Sequence, residues 1–135
     1  MAGYSGTPLI KKLGFKPGKT VVVKHAPAHY RELLGPLPTG LVIRHRLSHP
    51  VAVVHIFATS HSRLVHDLAE ARSSMTSNGM IWVSWPKKAS KVPTDVTEDV
   101  IRDRALQDVL VDVKVCAVDD VWSGLKLMIR KEHRK

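Results

Sequence analysis

The chain has 135 residues, of which 44% are hydrophobic, and this fits one globular domain and excludes extensive disorder. No apolar run in the sequence is long enough to span a bilayer. Lys and Arg number 21 against 12 Asp and Glu, which gives a net charge of +9, but aromatic residues make up just 5%, which is little material for stacking on nucleic-acid bases.

The sequence divides into an arm, a domain and a tail. Glycine and proline punctuate residues 1–18, which we interpret as an N-terminal arm packed on the domain. Residues 19–131 are predicted to form a single α/β domain, and residues 132–135 a charged tail. The single cysteine, Cys116, and the lack of a secretory signal favour a cytoplasmic protein with no membrane association.

The first half of the domain predicts three strands and a short helix. Residues 20–23 are β-branched and predict the first strand, and Pro27 suits the first turn of a helix. Residues 41–43 predict a second strand. Residues 51–58 are almost continuously apolar, which indicates a strand buried on both faces of a parallel sheet. His55, in the middle of that strand, is interpreted as a hydrogen-bonded core residue.

The centre of the chain predicts a helix and then a buried strand. Ser60 is a suitable N-cap for a helix that runs to about residue 74. Asn78 and Gly79 are expected to end the connection after this helix. Residues 80–83 predict a buried strand that ends at Pro86, with Trp82 in the core.

The last third predicts a helix and an antiparallel hairpin. Asp95 and Glu98 resemble a capping box, so the helix is expected to start at residues 94–95 and to bury apolar residues including Leu106. Residues 111–118 predict a strand with Val113, Val115 and Ala117 on one face. Residues 122–129 predict the final strand.

Strands that alternate with helices indicate an α/β fold. We predict a three-layer helix–sheet–helix, Rossmann-like domain, with a mixed, mostly parallel sheet of about six strands and a C-terminal antiparallel hairpin. The element order is similar to the second half of a class I methyltransferase, as a fold-level analogy. Because no glycine-rich loop follows the first strand, we do not expect S-adenosylmethionine binding. The sequence predicts no cofactor.

Several short motifs resemble those of the bacterial domain of unknown function 3052 family. They are GYS at residues 3–5, TPL at 7–9, KLGFKPG at 12–18, GPLP at 35–38, WVSWPKKAS at 82–90, TD at 94–95, VDVKV at 111–115 and WSGLK at 122–126. The resemblance covers nearly the whole chain. It implies a small, uncharacterised bacterial α/β protein and brings no catalytic residue.

The sequence contains no standard catalytic, nucleotide-binding or metal-binding signature. Of the eight histidines, none has a cysteine nearby, and we find no carboxylate at ligand spacing, so no metal site is predicted. Cys116, within a strand and away from a helix terminus, is interpreted as an inert thiol.

The carboxyl ends of the parallel strands are the expected ligand-binding edge of such a sheet. A strand, a basic loop and a helix N-terminus follow one another around Pro86, an arrangement that favours an anion, although a solvated basic loop explains it equally well. Trp85 and Trp122 could line a crevice at this edge, and core packing is their alternative role. The candidate ligand-binding residues are Lys87, Lys88, Ser90, Trp85, His61, His25, Asp120, Trp122 and Ser123.

Three functions are compatible with this pattern. The first is a binding domain for a small anionic ligand at the carboxyl edge. The alternative is a basic interaction module for nucleic acid, bound non-specifically, or for an acidic protein partner. The third, an enzyme with Lys87 or Lys88 as the charged group and His61 or Asp120 as acid or base, is the least favoured because the spacing implies no nucleophile–base pair. The sequence predicts no particular oligomeric state.

Overall fold

A computed structural model of the protein describes residues 7–134. The GYS motif at residues 3–5, the first six residues of the predicted arm and Lys135 of the tail lie outside this range. Ten helices and strands follow one another within it: α1 (Leu9–Leu13), β1 (Thr20–Lys24), α2 (Tyr30–Leu34), β2 (Val42–Arg44), β3 (Val51–Phe57), α3 (His61–Ser74), β4 (Met75–Pro86), α4 (Glu98–Leu106), β5 (Leu110–Ala117) and β6 (Trp122–Ile129).

The six strands form one mixed sheet in the order β2-β1-β3-β4-β6-β5. β1 pairs in parallel with β2 and β3, and β3 in parallel with β4. β6 is antiparallel to both β4 and β5, so the predicted C-terminal hairpin is confirmed, as is the α/β class with a six-stranded mixed sheet. Within residues 7–134, no helix combines the length and the apolar character that crossing a membrane requires.

Successive residues of the strands pack on opposite faces of the sheet, and the core therefore consists of two hydrophobic clusters. In β3, Val54 and Ile56 pack in the cluster that contains apolar residues of α3 and α4. Val53 and Phe57 pack in the other cluster, with apolar residues of α1 and α2. Successive strand residues face opposite sides of a sheet, so the near-continuous apolar run of β3 contributes to both clusters, as predicted.

The two tryptophans of β4 likewise pack in different hydrophobic clusters. Trp82 is fully buried in the cluster with α1, and its indole Nε1 donates to the carbonyl of Leu13 at 2.8 Å. Trp85, three residues on, is buried in the cluster with α3 and α4. The prediction that Trp82 lies in the core is confirmed.

β4 begins earlier than the sequence predicted. It starts at Met75, so Asn78 and Gly79 lie inside the strand and do not end the connection. The pairing with β3 is irregular between Val51 and Val53, where the extra residues of β4 are accommodated. A Cβ on Gly79 would lie 2.8 Å from the carbonyl oxygen of Ala52, so glycine here permits a close backbone approach and makes no turn.

The start of α4 was also wrongly predicted. The helix begins at Glu98, and its N-cap is Thr97, whose hydroxyl accepts from the backbone N–H of Val100 at 3.2 Å. Asp95 caps a different helix: its carboxylate accepts from the backbone N–H of His61, at the first residue of α3, at 2.7 Å. The spacing of Asp95 and Glu98 therefore does not mark a helix start. A local pattern could not show this, because the N–H group that Asp95 caps is 34 residues away in the sequence.

The face of β5 that carries Val113 and Val115 is not part of the core. β5 is an edge strand, and Val113 and Val115 are 48% and 49% exposed. The pairing with β6 shifts between Asp112 and Lys114, which interrupts the alternation that the sequence suggested. Leu106, expected to point inward from α4, is likewise exposed.

Candidate functional site

A small pocket opens where β1 and β3 end and α3 begins. Its volume is about 250 Å³, and its lining consists of His25, Phe57, Thr59, Ser60, Arg63 and Trp122. We call it the carboxyl-edge pocket. Two of the predicted ligand-binding residues, His25 and Trp122, therefore lie around the same cavity.

His25 is held in a strained conformation at the end of β1. Its φ of 61° lies in the left-handed region, which is uncommon for residues other than glycine. Nη1 of Arg63 lies 2.5 Å from His25 Nε2 and 3.2 Å from its Nδ1. On another side, His25 Nε2 is 3.2 Å from Oδ2 of Asp67. The imidazole therefore lies between a cation and a carboxylate, both supplied by α3.

Asp67 is a buried acid on the inner face of α3. Its side chain is 4% exposed. Leu64 and Leu68 pack into the core from the same helix, so a carboxylate stands among apolar positions. Oδ2 accepts no hydrogen bond from any of residues 7–134. A charged residue on the apolar face of an amphipathic helix was the signal by which sequence reasoning could have found Asp67.

A second histidine–carboxylate pair fixes the position of Trp122. His29 Nε2 lies 3.0 Å from Oδ2 of Asp119, which is largely buried. The other oxygen of Asp119 accepts from the backbone N–H groups of Val121 and Trp122 at 2.9 and 2.7 Å. This turn places the indole of Trp122 edge-on against Phe57, with ring centroids 5.0 Å apart.

A buried polar network lies beneath the pocket. His55 stacks on Phe57 at a centroid distance of 4.3 Å. Its Nδ1 is 2.8 Å from the hydroxyl of Tyr30, and its Nε2 is 2.8 Å from the hydroxyl of Ser84. Burial lowers the pKa of His55 to about 3 and raises the pKa of Tyr30 well above its ordinary value, so both are neutral. The prediction of a hydrogen-bonded core histidine is confirmed.

The basic loop after β4 is separate from the carboxyl-edge pocket. Residues Lys88–Ser90 form a 3-10 turn. The hydroxyl of Ser90 donates to the carbonyl of Lys87 at 2.6 Å and accepts from Val92 N–H at 3.3 Å. The backbone N–H of Lys87 donates to the carbonyl of Val121 at 2.7 Å, which anchors the loop one residue before Trp122. The loop is thus a neighbour of the pocket and not part of its lining.

The N-terminus of α3 lies at the carboxyl edge, but two of its first N–H groups have partners within the protein. The hydroxyl of Ser60 accepts from Arg63 N–H at 3.3 Å, and Asp95 accepts from His61 N–H. The His61 side chain is exposed and does not line the pocket. These internal partners leave the side chains of the pocket, and not the backbone of α3, as the polar groups available at this edge.

The remaining candidates lie away from the pocket lining. Trp85 is buried in the cluster formed with α3 and α4. Asp120 is exposed in the turn before β6. Ser123, on β6, is opposite Trp85 and Ala117 in the sheet. The ligand-binding roles of these residues, and of Lys87, Lys88, Ser90 and His61, stay predictions.

A larger basic groove lies elsewhere on the sheet. Its volume is about 900 Å³. Arg44, His45 and Arg46, which follow one another at the end of β2, form one wall together with Ser48. The opposite wall comes from the starts of β1, β3 and β4. The groove therefore presents two arginines and a histidine that are consecutive in the sequence.

A third feature is a cluster of potential metal ligands on α3. His66, Asp67 and Glu70 each offer one ligand atom, and these atoms all lie within 4.8 Å of one another. The statement that no carboxylate stands at ligand spacing from a histidine was therefore wrong for His66. It overlooked Glu70, which is four residues further along the helix and hence on the same face.

Comparison with known proteins identifies a family and a fold. A family model described as "Protein of unknown function (DUF3052)" matches residues 46–131, which is more than half of the chain. The comparison with curated proteins found no match.

Among solved structures, TrmN from Thermus thermophilus is similar, with a TM-score of 0.57 and 11% identity over 90% of this chain and 47% of that one. LepI in complex with SAH and a substrate analogue has a TM-score of 0.53 and 12% identity over 90% of this chain and 39% of that one. The chain thus spans less than half of either structure, and at these identities the likeness concerns the fold alone.

Proposed function

The chain belongs to the DUF3052 family, and for this member we propose that the carboxyl-edge pocket binds a small anionic ligand. The observation that carries the proposal is the convergence of His25 and Arg63 on one cavity. A guanidinium donates two parallel hydrogen bonds to a carboxylate or a phosphate, and an adjacent imidazole adds a further polar contact.

The rest of the lining suits the same class of ligand. Thr59 and Ser60 bring hydroxyl groups to the pocket, and Trp122 forms an aromatic wall. A cavity of about 250 Å³ is at the small end of the range for ligand sites, which favours a compact metabolite over a dinucleotide. The strain at His25 also supports a functional role, since strained backbone conformations concentrate at ligand-binding sites.

The position of the pocket supports the proposal as well. Helices contribute to both hydrophobic clusters, which supports the three-layer, Rossmann-like arrangement expected from the sequence. In such folds ligands bind beyond the carboxyl ends of the strands. Lys87 and Lys88, in the loop beside Trp122, would add long-range attraction for an anion. A binding role without chemistry is favoured because His61 and Asp120, the proposed acid or base, are outside the pocket lining.

A thermal-shift series tests this function. Phosphate, small dicarboxylates and nucleotides at millimolar concentration should include at least one ligand that raises the melting temperature of the wild-type protein. Arg63→Gln should abolish that shift, and Arg46→Gln, which removes a charge outside the pocket, should leave it intact. A wild-type melting temperature indifferent to every anion, or an unchanged shift in Arg63→Gln, would refute the proposal.

The basic groove supports the alternative function, a module that binds nucleic acid or an acidic partner. Arg44, His45 and Arg46 line a single wall, and all three are exposed. Binding by several phosphate contacts would weaken steeply with salt. Replacement of both arginines by Glu should abolish binding of a single-stranded oligonucleotide if this function is correct, whereas Arg63→Gln should have little effect. Equal loss in both variants would argue for non-specific attraction by the net charge.

A further inference from the structure

We propose that His66, Asp67 and Glu70 form a binding site for one divalent transition-metal ion of the zinc class on α3. The site goes beyond the proposed anion pocket and does not depend on it. α3 has 14 residues, so the three side chains project from a helix of nearly four turns.

The geometry of the cluster is close to that of a metal site. His66 Nε2 and Glu70 Oε1 are 3.3 Å apart, and Asp67 contributes a ligand atom within 4.8 Å of both. Zinc binds imidazole nitrogen and carboxylate oxygen at about 2.0–2.2 Å, which places neighbouring ligand atoms roughly 3–4 Å from each other. The His66 and Glu70 side chains are exposed, so they have room to adjust around a bound ion.

The buried carboxylate supplies an independent reason for a cation. Asp67 is 4% exposed, and its Oδ2 has no hydrogen-bond donor within residues 7–134. A carboxylate in that situation carries a large desolvation cost unless a positive charge compensates it. His25 Nε2 lies 3.2 Å from this oxygen, but Arg63 Nη1 lies against the same nitrogen.

The histidine beside Asp67 is shared with Arg63. Arg63 Nη1 lies 2.5 Å from His25 Nε2 and 3.2 Å from its Nδ1, and Oδ2 of Asp67 has no hydrogen-bond partner among residues 7–134. Within the described part of the chain, Arg63 itself makes no ion pair with Asp67. A metal ion bound by Asp67 would place a positive charge next to this buried carboxylate.

The donor set indicates the class of metal. One imidazole and two carboxylates suit Zn²⁺, Co²⁺ or Mn²⁺, and no thiolate is present to select a softer ion. Three protein ligands leave at least one coordination position for water or an exogenous ligand. Without a metal, His66 and Glu70 form just an exposed i, i+4 ion pair, which contributes little to stability.

Titration of the full-length, chelator-treated protein with the metal alone tests the site. Isothermal titration calorimetry with Zn²⁺ should give one equivalent bound, and Co²⁺ should develop visible absorption bands. His66→Ala and Glu70→Gln should each weaken binding at least tenfold. Both residues are exposed, so both variants should fold. His61→Ala, which removes an exposed histidine from the first turn of the same helix, is the matched control and should bind like wild type.

Three outcomes would contradict the proposed metal site. Wild-type protein that takes up no stoichiometric metal, His66→Ala with unchanged affinity, or His61→Ala with the same loss as His66→Ala would each rule it out. Asp67→Asn should also lose binding, and if this variant fails to fold, the two exposed positions still decide. Because the titration measures uptake of the metal and not of an anion, failure of the anion pocket would leave this result unaffected.

Discussion

His55 should make the protein lose stability as the pH falls below neutrality. The ordinary histidine pKa is 6.5, and burial lowers that of His55 to about 3 in the folded state. The unfolded chain therefore binds a proton that the folded chain rejects, and stability is full above pH 6.5 and is lost progressively towards pH 3. A pH of 5 is about 1.5 units below the pKa of the unfolded imidazole. At about 1.36 kcal/mol per unit, the free energy of unfolding falls by about 2 kcal/mol between neutral pH and pH 5.

Urea unfolding at pH 7 and at pH 5 measures this contribution. His55→Leu removes the titrating group but leaves the hydroxyls of Tyr30 and Ser84 without a partner, at a cost of about 1–3 kcal/mol each that does not depend on pH. The difference in unfolding free energy between wild type and His55→Leu should therefore shrink by about 2 kcal/mol between the two pH values. Tyr30→Phe, which keeps the imidazole, should retain the wild-type pH dependence.

A direct measurement covers the case in which His55→Leu does not fold. Nuclear magnetic resonance of the wild-type imidazoles should show one histidine whose signals do not titrate between pH 8 and pH 5. If all eight histidines titrate in that range, or if the difference between wild type and His55→Leu is the same at both pH values, the buried neutral network is misassigned.

Three further predictions concern stability and are checked by urea unfolding at neutral pH. Trp82→Ala should cost about 3–5 kcal/mol because the indole is fully buried, and a loss below about 1 kcal/mol would contradict that placement. Gly79→Ala should cost about 1–3 kcal/mol because its Cβ would lie 2.8 Å from the Ala52 carbonyl oxygen, and a neutral result would show that the strand accommodates a side chain there. Asp95→Ala should cost about 1 kcal/mol by removing the cap on the His61 N–H, and no change would mean that water replaces the cap.

The elements that could be predicted from the sequence are those whose signal is local. Continuous apolar character identified β3, and Ser60 with apolar residues at helical spacing identified α3 at both of its ends. Pro86 correctly marked the end of β4. In each case the residues that form the element also carry the pattern, so no information from elsewhere in the fold was needed.

Predictions failed where a distant partner decides the outcome. Asp95 belongs to the cap of α3, and Gly79 is required by the backbone of a neighbouring strand. Arg63 was missed for the same reason, because it is an ordinary helical residue until the fold brings His25 next to it.

Because Asp95 caps α3 and not α4, it limits the kind of anion site that this edge of the sheet can offer. Helix N-termini bind anions through free backbone N–H groups, but at α3 two of these groups are bonded to Asp95 and Ser60. The carboxylate also cancels part of the positive end of the helix dipole. In the proposed anion site, recognition would therefore come from the side chains of Arg63 and His25. A site of that kind depends on the charge and geometry of a single guanidinium, which is why Arg63→Gln, and not a change in the backbone of α3, is the decisive substitution.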